Sequence, residues 1–193
     1  MAPEPVKLGV FGGTFDPPHI AHLVAAQEIH GQLGLDRLLL MVAAAPPHKL
    51  DREVSAGEVR LEMVRAAIAG DPRFEASAIE LEREGPSYTV DTLRTLRELH
   101  PGAELFLAIG ADQAVELESW REPDEIARLA TIVAFARSGQ EVPETRWPLR
   151  RVDVPHMEVS STEVRRRVRA GEPCRYLVPD PVAAIIRARG LYR

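Results

Sequence analysis

The sequence predicts a single α/β domain, built on a doubly wound parallel sheet with helices on both faces. Short apolar runs typical of buried strands alternate along the chain with segments of helical periodicity. Of the 193 residues, 45% are hydrophobic and 27% are charged, the balance of a globular protein that buries one core. We therefore expect one domain over residues 1–193, with a basic helical part from about residue 160 packed on it.

The first half of the chain begins with a strand–helix–strand pattern. An apolar run that stops at Gly12-Gly13 predicts a buried first strand, because paired glycines favour a turn. Ser55 lies three residues before Glu58, the spacing of a capping box, which predicts the start of an amphipathic helix. The elements predicted in this half are strands at 6–11, 37–43 and 74–81 and helices at 20–34 and 55–70.

The second half continues the alternation, which as a whole is Rossmann-like. Glycine and prolines at Gly139, Pro143 and Pro148 predict an exposed loop rather than a linker, since too little chain follows for another domain. The elements predicted here are a helix at 90–99, strands at 105–109 and 132–136, helical turns around Ala114 and Glu125, a loop at 138–151 and helices at 162–170 and 182–189.

Charge and cysteine content narrow the functional classes. The formal net charge is −5, yet residues 163–193 carry eight arginines, which makes this end a candidate for meeting phosphate. The single cysteine, Cys174, excludes an intramolecular disulfide and a cysteine-rich metal site, so a reducing compartment, the cytoplasm, is expected. No apolar run approaches the ~20 residues that span a bilayer, and no signal peptide is evident, so no membrane partner is expected.

The loop after the first predicted strand, residues 12–22, carries the strongest functional signal. In open parallel sheets, ligands bind beyond the carboxyl ends of the strands. Gly12 and Gly13 let a phosphate approach the backbone, and the helix that follows directs free N–H groups to the same place. His19 and His22 lie three residues apart on its first turn and can face one anion. The loop is neither a Walker motif nor a Gly-x-Gly-x-x-Gly fingerprint.

This eleven-residue string resembles the signature of the nucleotidyltransferase superfamily that has a His-x-Gly-His motif. Members of that superfamily adenylylate or cytidylylate small phosphates. By resemblance, the two histidines stabilise charge at the α-phosphate and on the leaving pyrophosphate. One position departs from the motif, since Ala21 stands where glycine is usual. The ATP-binding residues that the resemblance implies in this loop are Gly12, Gly13, Thr14, Phe15, His19 and His22.

The basic C-terminal end begins with a second motif, Ser160-Ser161-Thr162-Glu163-Val164-Arg165. Taken alone, it is compatible with a capped, solvated helix in which Ser161 is the N-cap. It also resembles the superfamily's Ile-Ser-Ser-Thr-x-Ile-Arg signature, which grips the β- and γ-phosphates. Arg166 and Arg167 are expected to face solvent. The ATP-binding residues implied here are Ser160, Ser161, Thr162 and Arg165.

The middle of the chain resembles one family within the superfamily, the bacterial nicotinate mononucleotide adenylyltransferases. The matching segments are Pro46-Pro47-His48-Lys49, Gly85-Pro86-Ser87-Tyr88-Thr89-Val90-Asp91-Thr92 and Ile109-Gly110-Ala111-Asp112 followed by Trp120. Without the resemblance, Lys49 is a surface residue, Asp112 a helix N-cap and Trp120 a core residue. The resemblance implies acceptor binding by Asp16, His48, Lys49, Tyr88, Thr89, Asp112, Trp120 and Arg137, and ATP binding by Gly110 and Asp112 as well.

The resemblance implies transfer of the adenylyl group of ATP to nicotinate mononucleotide in NAD biosynthesis, with direct in-line attack by the acceptor phosphate. Mg²⁺ is expected with ATP, mostly on substrate oxygens and water. The sequence offers no cysteine–histidine pair and no paired carboxylates that would indicate a covalent intermediate. Alignment of the substrates and neutralisation of charge are therefore the expected means of catalysis. The catalytic residues implied are His19, His22, Lys49 and Arg165.

Other functions are compatible with parts of the sequence. Nicotinamide mononucleotide is an alternative acceptor, and a phosphopantetheine adenylyltransferase shares the first motif but lacks the Ser-Tyr-Thr segment. A non-catalytic nucleotide- or RNA-binding protein could use the basic C-terminal helix, although the acidic remainder of the chain argues against a nucleic-acid partner. The sequence leaves the oligomeric state open, a homo-oligomer included.

Overall fold

The computed structural model describes residues 5–44, 54–83, 85–137 and 141–193, and for Arg137 it describes the backbone only. Its strands are β1 (Lys7–Gly13), β2 (Arg37–Val42), β3 (Phe74–Ser77), β4 (Glu104–Gly110), β5 (Thr131–Arg137) and β6 (Leu149–Val154). Its helices are α1 (Ile20–Leu33), α2 (Gly57–Ala67), α3 (Thr89–Leu99), α4 (Ala111–Val115), α5 (Pro123–Leu129), α6 (Ser161–Arg169) and α7 (Asp180–Arg189), and a 3₁₀ turn lies at Leu117–Ser119.

All six strands pair in parallel in one sheet, in the order β3-β2-β1-β4-β5-β6. The chain moves outward from β1 to β3, then returns beside β1 and moves outward in the other direction from β4. The strand order therefore reverses between β1 and β4. In doubly wound sheets, a crevice opens at this switch point, beyond the carboxyl ends of the strands.

Apolar side chains cover both faces of the sheet, which confirms the predicted fold class. On one face, Leu93 and Leu96 of α3 pack with Leu105 of β4 in the larger core. On the other face, Ile29 of α1 packs with Phe106. The central strands read as nearly continuous apolar runs because neither face meets water.

The helices at the C-terminal end pack on α2. Val182 and Ile186 of α7 and Val164 of α6 form a separate apolar cluster with Met63. None of the helices in the described part of the chain is long and apolar enough to cross a membrane.

Two elements of the sheet differ from the sequence prediction. β3 ends at Ser77, before the predicted limit, and turns follow it. The loop predicted at 138–151 was wrong in its last residues, where β6 begins at Leu149. This strand lies at the sheet edge and buries only Val152 and Val154, with the charged Asp153 between them. Its apolar pattern is therefore too short to indicate a strand.

The capping box predicted at Ser55 is absent. Ala56 is the N-cap of α2 and makes no side-chain cap hydrogen bond. Ser55 instead contributes its backbone: its carbonyl accepts a hydrogen bond from Arg60 Nε, and its N–H donates to Asp16 Oδ2 at 3.4 Å. A tertiary contact thus replaces the local cap that the spacing suggested.

Candidate active site

The loop between β1 and α1 lies in the crevice and forms a wall between two cavities. One cavity has a volume of about 590 Å³ and the other about 430 Å³. Both are lined by Gly12 and Gly13 at the end of β1, by Thr14 of this loop and by Gln113 of α4. A ligand in either cavity therefore lies against the same stretch of backbone.

The larger cavity gathers most of the residues predicted to bind ATP. The predicted residues that line it are Gly12, Gly13, Thr14, Phe15, His19, His22, Gly110, Asp112 and Ser161. Ala21, which replaces the usual glycine, lines it as well. Ser160, Thr162 and Arg165 do not appear among its lining residues.

The two histidines are stacked at the start of α1. His19 is the N-cap, and its ring centroid lies 3.7 Å from that of His22 with the planes tilted by 31°. The N–H of His19 donates to His22 Nδ1 at 3.1 Å. Since Nδ1 accepts this bond, the proton of a neutral His22 ring is on Nε2. That N–H is a donor suited to a phosphate oxygen.

Burial keeps the ring of His19 neutral. Only 6% of the residue is exposed, and the resulting desolvation lowers its pKa to about 4. His19 therefore offers hydrogen bonds rather than charge at neutral pH. A neutral partner also avoids repulsion between two closely stacked rings.

Phe15 supports His22 from beneath. The ring is buried, and its centroid lies 5.0 Å from that of His22 in an edge-on contact. The backbone of Phe15 is in the left-handed region, with φ of 51°. Gly13 is needed beside it, because a Cβ at that position would lie 2.7 Å from the Phe15 ring. Strain of this kind is characteristic of functional loops whose surroundings hold one conformation.

The start of α6 meets the same loop from the other side. Ser160, not Ser161, is the N-cap, because its Oγ accepts a hydrogen bond from the N–H of Glu163. Ser161 is thus free of the capping role predicted for it and donates its hydroxyl to the carbonyl of Pro17 at 2.9 Å. Arg165 Nη1 donates to the carbonyl of Asp16 at 2.7 Å, and its Nη2 donates to Thr162 Oγ1. The structure therefore brings the two predicted phosphate motifs together.

Neighbouring arginines of α6 are paired with carboxylates on the surface. Arg166 lies 2.8 Å from both Glu163 and Glu172, and Arg167 lies 2.8 Å from Glu163. Hydrogen bonds from these guanidinium groups lower the pKa of Glu163 to about 2. Much of the positive charge on this helix is consequently balanced locally.

Asp16 belongs to this loop, but its side chain is buried and lines neither cavity. The residue is 3% exposed, and its Oδ1 accepts a hydrogen bond from the Tyr192 hydroxyl at 2.6 Å. Burial, together with this bond to Asp16, raises the pKa of Tyr192 well above its usual range. The side chain predicted to bind the acceptor is thus an internal contact between the loop and the C-terminal segment.

The smaller cavity contains the aromatic residues predicted to bind the acceptor. Tyr88 and Thr89, at the start of α3, line it together with Trp120. Trp120 is half-buried and also packs against the main core, so the core interpretation is correct in part. Arg121, which the sequence did not single out, lines the cavity with its guanidinium carbon 4.6 Å from the centre of the Tyr88 ring.

Carboxylates also line this cavity, at Glu80 and Glu116. Burial raises the pKa of Glu80, whose Oε1 accepts a hydrogen bond from Thr92 Oγ1 at 2.9 Å. Asp112 lines only the larger cavity, and it is not a helix N-cap, because Gly110 occupies that position in α4.

Three predicted side chains lie outside the described part of the chain. His48 and Lys49 lie outside the described residues, and the side chain of Arg137 does so too, although its backbone ends β5. Sequence reasoning missed Arg60, a buried residue whose guanidinium reaches the first loop. A signal was present, since Arg60 shares the apolar stripe of α2 with Met63, Val64 and Ala67.

Comparison with known proteins identifies the family. The cytidylyltransferase-like family model matches residues 10–167. A Thermus thermophilus protein named probable nicotinate-nucleotide adenylyltransferase is 47% identical, over 97% of this chain and 100% of its own. The Bacillus subtilis nicotinate-nucleotide adenylyltransferase is 44% identical, over 96% of this chain and 98% of its own. This chain belongs to the nicotinate-nucleotide adenylyltransferases.

Solved structures share the family fold at much lower sequence identity. Plasmodium falciparum nicotinic acid mononucleotide adenylyltransferase complexed with NaAD has a TM-score of 0.80 and 19% identity, with 97% of both chains covered. This similarity concerns the fold. It agrees with the doubly wound sheet.

Proposed function

We propose that this protein transfers the adenylyl group of ATP to nicotinate mononucleotide, giving deamido-NAD and pyrophosphate for NAD biosynthesis. The observation that carries the proposal is the pair of cavities that meet at Gly12–Thr14 beside the stacked histidines. Two substrates bound in these cavities would present their phosphates to each other across one wall. Its relatives are named for the same reaction.

The larger cavity suits ATP, and the reaction requires no protein nucleophile. An oxygen of the acceptor phosphate attacks the α-phosphorus of ATP, while the bond from that phosphorus to the bridging oxygen of pyrophosphate breaks. His22 Nε2–H and the positive end of the α1 dipole would stabilise the charge that develops on the phosphate oxygens. Ser161 and Arg165 would hold the departing pyrophosphate.

The smaller cavity suits the nicotinate ring and its carboxylate. The indole of Trp120 provides a surface on which a pyridinium ring can stack. The start of α3 directs the positive end of its helix dipole towards Tyr88 and Thr89, and the guanidinium of Arg121 lies beside it, partly balanced by Asp91 and Glu122. The relatives are named for nicotinate nucleotide, so we propose the acid as the preferred acceptor.

A magnesium ion fits the larger cavity as part of the bound nucleotide. Within the described residues, no group of three or more His, Cys, Asp or Glu side chains could hold a metal by itself. Asp112 is the carboxylate on the wall of that cavity. Mg²⁺ is typically held by one or two carboxylates together with substrate phosphates and water. Bound in this way, it would supply charge neutralisation on the triphosphate.

The ion pairs of α6 bear on whether the protein has a nucleic-acid partner. The ion pairs of Arg166 and Arg167 with Glu163 and Glu172 reduce the positive charge that an RNA-binding helix would need. Small-molecule substrates therefore remain the proposed partners.

The cytoplasm stays the predicted location, on the evidence of a single cysteine, and the oligomeric state stays open.

The experiment that tests this function is an assay of pyrophosphate release with ATP and a panel of acceptors. Nicotinate mononucleotide, its amide and phosphopantetheine are each supplied under the same conditions. We expect turnover to be fastest with the acid and absent with phosphopantetheine. Faster turnover with the amide would reject the assignment of the acceptor, and no release with any acceptor would reject the proposed reaction.

A further inference from the structure

Arg60 is a fully buried cation that binds only backbone carbonyls in the described part of the chain. The residue is 2% exposed and forms no ion pair there. Its Nε donates to the carbonyl of Ser55 at 2.8 Å, and its Nη2 donates to that of Ala44 at 3.1 Å. Its Nη1 is shared between the carbonyls of Thr14 and Ala43, at 2.8 and 2.7 Å.

These carbonyls belong to three segments that meet behind the two cavities. Thr14 is in the first loop, Ala43 and Ala44 directly follow β2, and Ser55 precedes α2. Thr14 lines both cavities, whereas Arg60 lines neither. The guanidinium therefore contacts the common wall from the side that ligands do not reach.

The guanidinium group is suited to fixing distances between these segments. Its N–H groups form a rigid planar fork, so the bound carbonyl oxygens must keep set positions relative to one another. Hydrogen bonds from a charged donor are shorter and stronger than neutral ones. Removal of the fork would take one charged donor away from several buried carbonyls and would loosen the contact between Thr14 and the end of β2.

We propose that Arg60 is a positioning residue for adenylyl transfer. It holds Thr14 against the end of β2, so that the loop presents Gly13, His19 and His22 to the triphosphate in one conformation. The inference rests on the proposed function for its effect on turnover. Its effect on nucleotide binding can be measured without an acceptor.

Arg97 is a matched control at the opposite ends of the strands, away from the two cavities. It donates to the carbonyl of Leu129 from Nε and Nη2 and to the carbonyl of Ala103 from Nη1, at 2.6 to 3.1 Å. These carbonyls precede β5 and β4, so they lie at the amino ends of the strands. Loss of Arg97 therefore removes similar hydrogen bonds without touching either cavity.

The test compares Arg60→Met and Arg60→Lys with Arg97→Met and Arg97→Lys. The measurements are thermal unfolding, the Kd for ATP, and kcat and KM with nicotinate mononucleotide. We expect all four variants to lose stability. Only the Arg60 variants should lower kcat, by roughly 10²-fold for Met, as for other losses of reactant alignment, and also weaken ATP binding. The Lys variant keeps the charge but not the fork, so its loss should be smaller.

Arg60→Lys keeps the proposal testable if Arg60→Met does not fold. A folded Arg60→Lys variant that has lost stability but retains the kcat and ATP affinity of the wild type would overturn it. Equal kinetic losses in the Arg97 variants would overturn it too, since they would indicate a general effect of stability. If wild-type protein binds ATP but transfers nothing, the proposed function fails while the comparison of ATP affinities still decides the role of Arg60.

Discussion

At the scale of single residues, the two histidines of the loop are chemically distinct. His22 lines the larger cavity with its Nδ1 engaged by a backbone N–H, while His19 is buried beside it. The orientation of one ring thus depends on the other and on Phe15. A sequence motif can place these residues together, but the tautomer comes from the contacts.

We expect His22→Ala to lower kcat by about 10²- to 10³-fold, the usual cost of removing one donor from a transition-state site. The fold should persist, because the side chain is not part of the buried core. Steady-state kinetics and circular dichroism measure the two effects. His100→Ala, at an exposed position beyond α3, is the control and should keep wild-type activity. Near-normal turnover of the His22 variant would remove its catalytic role.

The burial of His19 predicts a dependence of stability on pH. Its pKa is 6.5 when unfolded and about 4 in the folded protein, so the unfolded chain binds the proton more readily between these values. The stabilisation is present above pH 6.5 and is lost as the pH falls towards 4, by roughly 3 kcal/mol in all. Denaturant titrations at pH 8 and pH 4.5 should show a larger drop in wild type than in His19→Gln. Equal drops would contradict the assignment.

At the scale of elements, the two adjacent serines at the start of α6 have different roles. Ser160 caps the helix, and Ser161 contacts the first loop and lines the larger cavity. We expect Ser160→Ala to cost about 1 kcal/mol of stability, as for other lost caps, with little change in KM for ATP. Ser161→Ala should instead raise KM for ATP several-fold. Chemical denaturation and steady-state kinetics on both variants measure the two effects. Equal changes in stability and in KM for ATP would argue against separate roles.

The elements that sequence could predict were those with a strong apolar period. β1, β2, β4, α1 and α3 were placed within two residues of their observed bounds, since buried strands and amphipathic helices leave clear patterns, whereas α2 ends three residues before its predicted limit. β6 was missed because an edge strand with alternating charges buries little.

For the candidate site, the sequence predicted which segments lie close together, since those that the structure describes are neighbours in space. What the sequence could not supply was contact information. Asp16 is an acidic residue in a motif predicted to bind substrates, but its side chain contacts Tyr192. Arg60 is a cation in the apolar stripe of α2, and it binds carbonyls that are distant in sequence. Such roles depend on tertiary packing rather than on local pattern.

At the scale of the whole molecule, the C-terminal segment, from α6 to Tyr192, anchors the loop between β1 and α1. Within the described residues, four hydrogen bonds join this segment to the loop and the first residue of α1. The donors and acceptors are Ile20 N–H and the Leu177 carbonyl, Ser161 and the Pro17 carbonyl, Arg165 and the Asp16 carbonyl, and Tyr192 and the Asp16 carboxylate. The basic end of the chain therefore acts on the loop by holding its backbone as well as through charge.

Tyr192→Phe tests whether this anchoring affects catalysis. The change removes one hydroxyl and leaves the buried carboxylate of Asp16 without its 2.6 Å partner, which should cost about 1–3 kcal/mol of stability. Because Asp16 lies within the loop that carries His19 and His22, we also expect kcat to fall several-fold. Tyr176→Phe is the matched control, since Tyr176 is 79% exposed and should tolerate the change. Denaturation and kinetics on the two variants separate the effects. A Tyr192 variant that is less stable but fully active would mean that the C-terminal segment supports the fold without setting the geometry of the loop.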